Sequence, residues 1–209
     1  VAAGFTYGYF THPNGLPPQR LLTAAETGWQ ELRARTGDER PWFYVSSGIT
    51  ESVVVHNAAE TSPGLTLFAG SGPDASQFAR SVHQNGELVN EWRLDWFQIW
   101  PDAEHLPDDL IPRTAPGTFI HGTVMMEDGS IVYNYENLGM VRISAAGKIM
   151  WRLPRHTHHA LWRDDEGNLW SPGLRRHKQK LASYPLFNPP FEEFTIVKAP
   201  ADGELLMEK

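Results

Sequence analysis

Nine histidines stand in a chain of 209 residues that contains no cysteine. Imidazole is therefore the side chain best suited to chemistry near neutral pH. Two histidines hold the same place in an internal repeat. The run from His121 through Asp128-Gly129 to Val132 recurs as the run from His159 through Glu166-Gly167 to Trp170. An imidazole there can act as nucleophile, acid or base. The competing reading is a histidine that only bonds a neighbouring strand. A second group is Arg155-His156-Thr157-His158-His159. On an extended strand His156 and His158 share one face and His159 takes the other. Three close histidines suggest zinc, but no carboxylate or further histidine stands at a recognisable ligand spacing. The expectation is a polar rim with one inward histidine, and no metal or cofactor.

Equivalent positions of a repeat become neighbours only if the fold stacks its repeats around an axis. The pattern fits that requirement. Four candidate strands fall within 119–153: Phe119 to Met126, Ser130 to Tyr135, Gly139 to Ser144 and Lys148 to Leu153. Their turns carry Asp128-Gly129, Asn137 and Ala146-Gly147, at hairpin spacings, which predicts an antiparallel meander. Val53 to Val55, Leu65 to Phe68, Phe78 to Val82 and Leu88 to Leu94 make an earlier group, with Asn85-Gly86 as a tight hairpin turn. A second repeat supports the division. Val141 to Leu153, with Gly147 and Trp151, matches Val197 to Met207, with Gly203, and more loosely Arg80 to Leu94, with Gly86 and Trp92. Repetition of this kind marks propeller blades, because one sheet cannot cover both of its faces alone.

The expected fold is therefore all-β: about three four-stranded blades, over roughly 50–94, 119–153 and 158–209, of a six-bladed propeller. The propeller domain is placed at 48–209 and is expected to be incomplete. Residues 1–47 form an N-terminal segment with one short helix, read from Leu22, Ala25, Trp29 and Leu32 between Pro17-Pro18 and Gly37. No second helix is expected, and 95–116 reads as a long connection.

The net charge of -7 argues against a nucleic-acid partner. The basic run Arg175-Arg176-His177-Lys178-Gln179-Lys180 reads as a solvated loop. No stretch is long and apolar enough to span a bilayer. The uncharged opening from Val1 to Phe10 is nonetheless expected to be the outer end of a membrane segment, or else an ordinary extended arm.

The runs Asn137 to Ile143, Gly147 to Leu153, Thr157-His158-His159-Ala160-Leu161 and Asp164 to Gly173 resemble the arylsulfotransferase-like β-propeller family, in its membrane-anchored bacterial branch. Gly48-Ile49-Thr50 and Pro63 to Gly70 add to the likeness, which covers about 48–209. The resemblance implies a periplasmic propeller tethered to the inner membrane. It implies transfer of a sulfuryl group from an aryl sulfate to a phenol through a sulfohistidine, without a nucleotide donor. It makes His159 and His121 the catalytic candidates and His158, His156, Arg152 and Asn134 the sulfate-binding ones. The sulfated histidine of characterised members lies in a later blade than most of this chain reaches.

A different class of function also fits. The apolar N-terminus and the aromatic run Trp96-Phe97-Gln98-Ile99-Trp100 suit a non-catalytic propeller that serves as scaffold of a membrane protein complex, or one that pairs with a second copy. Gly147 to Trp151 also resembles the tryptophan docking motif of quinoproteins, without the rest of that motif.

Overall fold

Glycine-punctuated turns divide the chain into short strands, and a computed structural model shows how those strands pair. It describes residues 57–72, 76–113 and 117–209, with the isolated positions 25, 29, 48 and 53. Eleven strands form three antiparallel sheets. The first sheet holds β1 (Thr66–Ser71), β2 (Gln77–Val82) and β3 (Leu88–Arg93) in that order. A single helical turn, α1 (Trp96–Ile99), follows it. The second sheet holds β4 (Ile120–Met125), β5 (Ile131–Tyr135), β6 (Gly139–Ile143) and β7 (Ile149–Leu153). The third holds β8 (Trp162–Arg163), β9 (Leu169–His177), β10 (Phe191–Ala199) and β11 (Met207–Glu208). Every sheet is a meander of neighbours in sequence, as the hairpin spacings predict. The opening strands β1 and β4 touch, and so do β4 and β8.

One turn chemistry recurs. Gly86, Gly129, Gly147, Gly167 and Gly203 each donate N–H to the carbonyl three residues earlier, and each has a φ between 76° and 86°. That left-handed conformation costs glycine nothing and other residues a Cβ clash. Asn85 does not share the positive φ expected of an Asn-Gly hairpin. Its Oδ1 instead accepts the Glu87 N–H at 3.1 Å. The turn is thus of the kind that ends in one left-handed glycine.

The two faces of the second sheet build two cores. Ile131, Tyr133, Tyr135, Val141 and Ile143 pack against Ala79 and Trp92 of the first sheet and against Leu94, Trp96 and Trp100. Val132, Met140 and Leu153 pack against Leu169, Val197 and Ala199 of the third. The alternation along β5 decides this split, because successive side chains point to opposite faces. Tryptophans then tie sheet to sheet. Trp92 donates Nε1–H to the Ser144 carbonyl at 2.9 Å, and Trp151 donates Nε1–H to the Ala201 carbonyl at 2.8 Å. Each acceptor belongs to the last hairpin of the next sheet.

The connection and its aromatic run differ from expectation, and two further readings fall largely outside the described residues. The connection 95–116 is not a plain loop. Asp95 caps α1 by accepting the Phe97 N–H at 2.9 Å, and Trp96, Ile99 and Trp100 are buried. The helix was not legible because its four residues are too few to show a period. The aromatic run is consequently core at Trp96, Ile99 and Trp100, and its exposed side is Phe97 and Gln98. Among the described residues the first sheet has three strands; of the expected fourth, Val53 to Val55, only Val53 is described, and it is not in a strand. The N-terminal helix lies outside the described residues except for Ala25 and Trp29, both helical. Among the described residues no helix is long and apolar enough to cross a membrane.

Candidate functional site

The repeat histidines meet. His121 lies on β4, one residue into the strand. His159 lies on the segment 154–161 that crosses from the second sheet to the third. A bulge between His121 and Thr123 re-aims the strand here. Gly122 lets the crossing segment come close. A Cβ at that position would stand 2.5 Å from the His159 carbonyl oxygen and 2.7 Å from the Ala160 carbonyl carbon. No residue with a side chain fits that approach.

The two rings are nearly parallel. Their planes differ by 11°, their centroids lie 5.1 Å apart and their Nδ1 atoms 3.2 Å apart. The backbone N–H of His159 also donates to His121 Nδ1 at 3.2 Å. That nitrogen must then be an unprotonated acceptor, so the network assigns the His121 proton to Nε2. His121 Nε2 faces Glu136 Oε2 at 3.7 Å. A proton on His159 Nδ1 would share that same His121 lone pair, and this tautomer would leave Nε2 as the acceptor on the exposed His159 ring. Its backbone has φ 53°, a left-handed conformation rare for a side-chain-bearing residue and frequent at functional sites.

His158 and Asn134 stand behind this pair. The His158 ring is buried, meets the His159 ring edge to face with centroids 4.6 Å apart, and meets Phe194 at 5.8 Å. Burial, then the neighbouring His159 and His121 rings, pull His158 below the ordinary imidazole value. Asn134, fully buried on β5, donates Nδ2–H to Ser171 Oγ at 2.8 Å and to the His159 carbonyl at 3.4 Å. It therefore holds the crossing segment in place, and its amide hydrogens are not free for a ligand. Asn134 Oδ1, Thr157 Oγ1 and His158 Nε2 are buried without a hydrogen-bond partner, which leaves three polar atoms of one small region to be satisfied.

Two of the sequence candidates lie elsewhere. Arg152 reaches the Ile99 carbonyl at 2.9 Å and Asp102 at 3.4 Å, and lies over the Trp100 ring. Trp151 faces the third sheet, so its strand neighbour must face the other way. His156 donates Nδ1–H to the Asn137 carbonyl at 2.8 Å and lines a separate cleft. It does not share a strand face with His158, because the segment is not a strand and makes only the bridge from Thr157 to Gly173. His159 likewise precedes β8 rather than opening it. Glu136, Gly122 and Ser171 join the site without having been singled out in the sequence. They come from two sheets, and no spacing relates them. No group of three histidine or acidic side chains able to hold a metal ion occurs among the described residues.

No family model matches the chain, and no curated protein does. Among solved structures, a protein of unknown function from Bacteroides caccae is similar at a TM-score of 0.33 and 11% identity. The match covers 68% of this chain and 48% of that protein, so the chain spans about half its length. The likeness is too slight to assign fold or function.

Proposed function

We propose that the three sheets are blades of an arylsulfotransferase-type propeller, in a ring of about six blades, and that His159 takes a sulfuryl group from an aryl sulfate. The carrying observation is the exposed His159 ring with its Nδ1 3.2 Å from His121 Nδ1, and Glu136 3.7 Å from His121 Nε2. The contacts between opening strands and the repeated tryptophan locks support the blade reading.

The chemistry balances without a further reactant. The Nε2 lone pair attacks sulfur, the N–S bond forms, and the S–O bond to the aryl group breaks. The aryl oxide leaves with that bonding pair. The imidazole becomes cationic, and its Nδ1 proton faces the His121 lone pair. Charge can thus spread toward Glu136, which lowers the barrier to attack. In the second half a phenol oxygen attacks sulfur and the N–S pair returns to Nε2. The phenol proton goes to the departed aryl oxide. Arg152 takes no part, since its contacts hold it against Trp100.

The test is turnover of 4-nitrophenyl sulfate with a phenol acceptor. His159→Asn should abolish nitrophenol release while the unfolding temperature is kept. Unchanged turnover in that variant removes His159 from the reaction. The proposed setting is the periplasm, at a membrane tether formed by the apolar N-terminal run. A non-catalytic scaffold is the second reading. Exposed Phe194 and Ile196 on β10 favour it, whereas burial of Trp96 and Trp100 removes the aromatic patch that motivated it.

A further inference from the structure

The crossing segment 154–161 also borders a cleft of about 620 Å3 that contains neither His121 nor His159. That volume lies within the range of small-molecule sites. Two imidazoles of its lining are pinned. His105 donates Nε2–H to the Leu138 carbonyl at 2.6 Å, and His156 donates Nδ1–H to the Asn137 carbonyl at 2.8 Å. Pro107, Leu110, Pro154 and Leu174 give the cleft an apolar part. Its charged part holds Arg155, Arg175, Arg176 and Lys178 against only Glu192 and Glu208.

Those carboxylates, with Asp109 and Glu193 just outside the lining, pair with every guanidinium and leave Lys178 as the cation without an ion pair among the described residues. Glu208 is shared between Arg155 at 3.5 Å and Arg175 at 3.4 Å. Glu192 takes Arg176 at 3.2 Å. Outside the lining, Arg176 also meets Asp109 at 3.2 Å and Arg175 meets Glu193 at 3.4 Å. These are long, partly exposed pairs, of the kind that contributes little. A guanidinium has five donors, so each keeps some free. Lys178 is exposed and makes no ion pair among the described residues. Lys178 and the spare guanidinium donors are what the cleft offers an anion.

We infer that this cleft binds a small organic anion: a tetrahedral oxyanion, as a sulfate or phosphate ester, carried on an apolar body. The guanidinium groups suit the oxyanion, for which their planar fork provides paired donors. The prolines and leucines suit the body. The inference stands without the transfer reaction at His159, because the two sites share no lining residue.

Calorimetric titration of the whole chain tests it. The probes are 4-nitrophenyl sulfate, 4-nitrophenyl phosphate and inorganic sulfate, at one ionic strength. The expected result is saturable binding of an ester in the wild type and equally in His159→Asn. Affinity falls by about tenfold or more in Lys178→Gln and in Arg176→Gln, the loss typical of one charge-assisted contact. The preferred ester identifies the headgroup, and weaker binding of inorganic sulfate shows that the apolar part contributes. Lys178 is exposed, so its variant keeps the test sound even if Arg176→Gln unfolds, which circular dichroism reports. Absence of saturable binding by every probe overturns the inference. So does ester binding that survives both cleft substitutions, or that vanishes in His159→Asn.

Discussion

Gly122→Ala tests whether close approach of the crossing segment sets the site. The added methyl would lie 2.5 Å from the His159 carbonyl oxygen and 2.7 Å from the Ala160 carbonyl carbon, and nearer still to the Leu161 nitrogen. All three neighbours are backbone, which cannot rotate away. Ordinary contact begins at 3.4 Å, so the segment must retreat by about 1 Å. Overpacking of this kind costs about 1–3 kcal/mol. At roughly 2–4 °C per kcal/mol for a chain of this size, the unfolding temperature should fall by about 2–12 °C. The same retreat pulls His159 from His121, whose Nδ1 atoms now lie 3.2 Å apart. Nitrogen-detected NMR of the histidine rings should then show the His121 and His159 tautomers altered, with the other histidines unchanged. A variant with wild-type unfolding temperature and wild-type His121 and His159 signals would refute the reasoning.

Other expectations follow from the same contacts. Trp151→Phe keeps most of the apolar contact and removes the Nε1–H bond to the Ala201 carbonyl. It should cost about 1 kcal/mol in denaturant unfolding, with little more because Arg142 still donates to that carbonyl at 2.6 Å. No measurable loss would deny the tryptophan its role between sheets. Stability should also fall as pH drops from about 7 to 5. Burial holds His105 and His158 below the ordinary imidazole value of 6.5. The unfolded chain thus binds protons first, and stability is lost with acid at no more than about 1.4 kcal/mol per pH unit per histidine. Asp128 and Glu193 are shifted down by their hydrogen bonds to Ser130 and Tyr184. Their stabilising effect is lost only in more acid solution, below the ordinary carboxylate values of 3.8 and 4.5. A flat thermal midpoint between pH 7 and 5, or no change in slope on His105→Gln, would contradict this.

The second sheet was legible nearly to the residue, because every hairpin in it is closed by a local turn with its own glycine or asparagine. Gly129, Gly147 and Asn137 mark those turns in sequence and adopt positive φ in the fold. The third sheet was legible only in outline. Its strands β9 and β10 run nine residues each and are separated by 178–190, where no repeat guides the reading. The meeting of His121 and His159 was anticipated from their equivalent repeat positions. What sequence could not supply was their company. Glu136 approaches from the turn after β5, and Gly122 matters only because the crossing segment is there. The misplacement of Arg152 was avoidable in principle. Trp151 is the partly buried residue of β7 that packs on the third sheet, and strand alternation sends the next side chain to the other face.

The most direct test of the account is covalent. The protein is mixed with 4-nitrophenyl sulfate without an acceptor, quenched at alkaline pH and analysed by peptide mass spectrometry. The account predicts an adduct of one SO3 group on the peptide that carries His159, localised to that ring, discharged by added phenol and absent from His159→Asn. Nitrophenol release without such an adduct, or an adduct on another histidine that persists in His159→Asn, would contradict it.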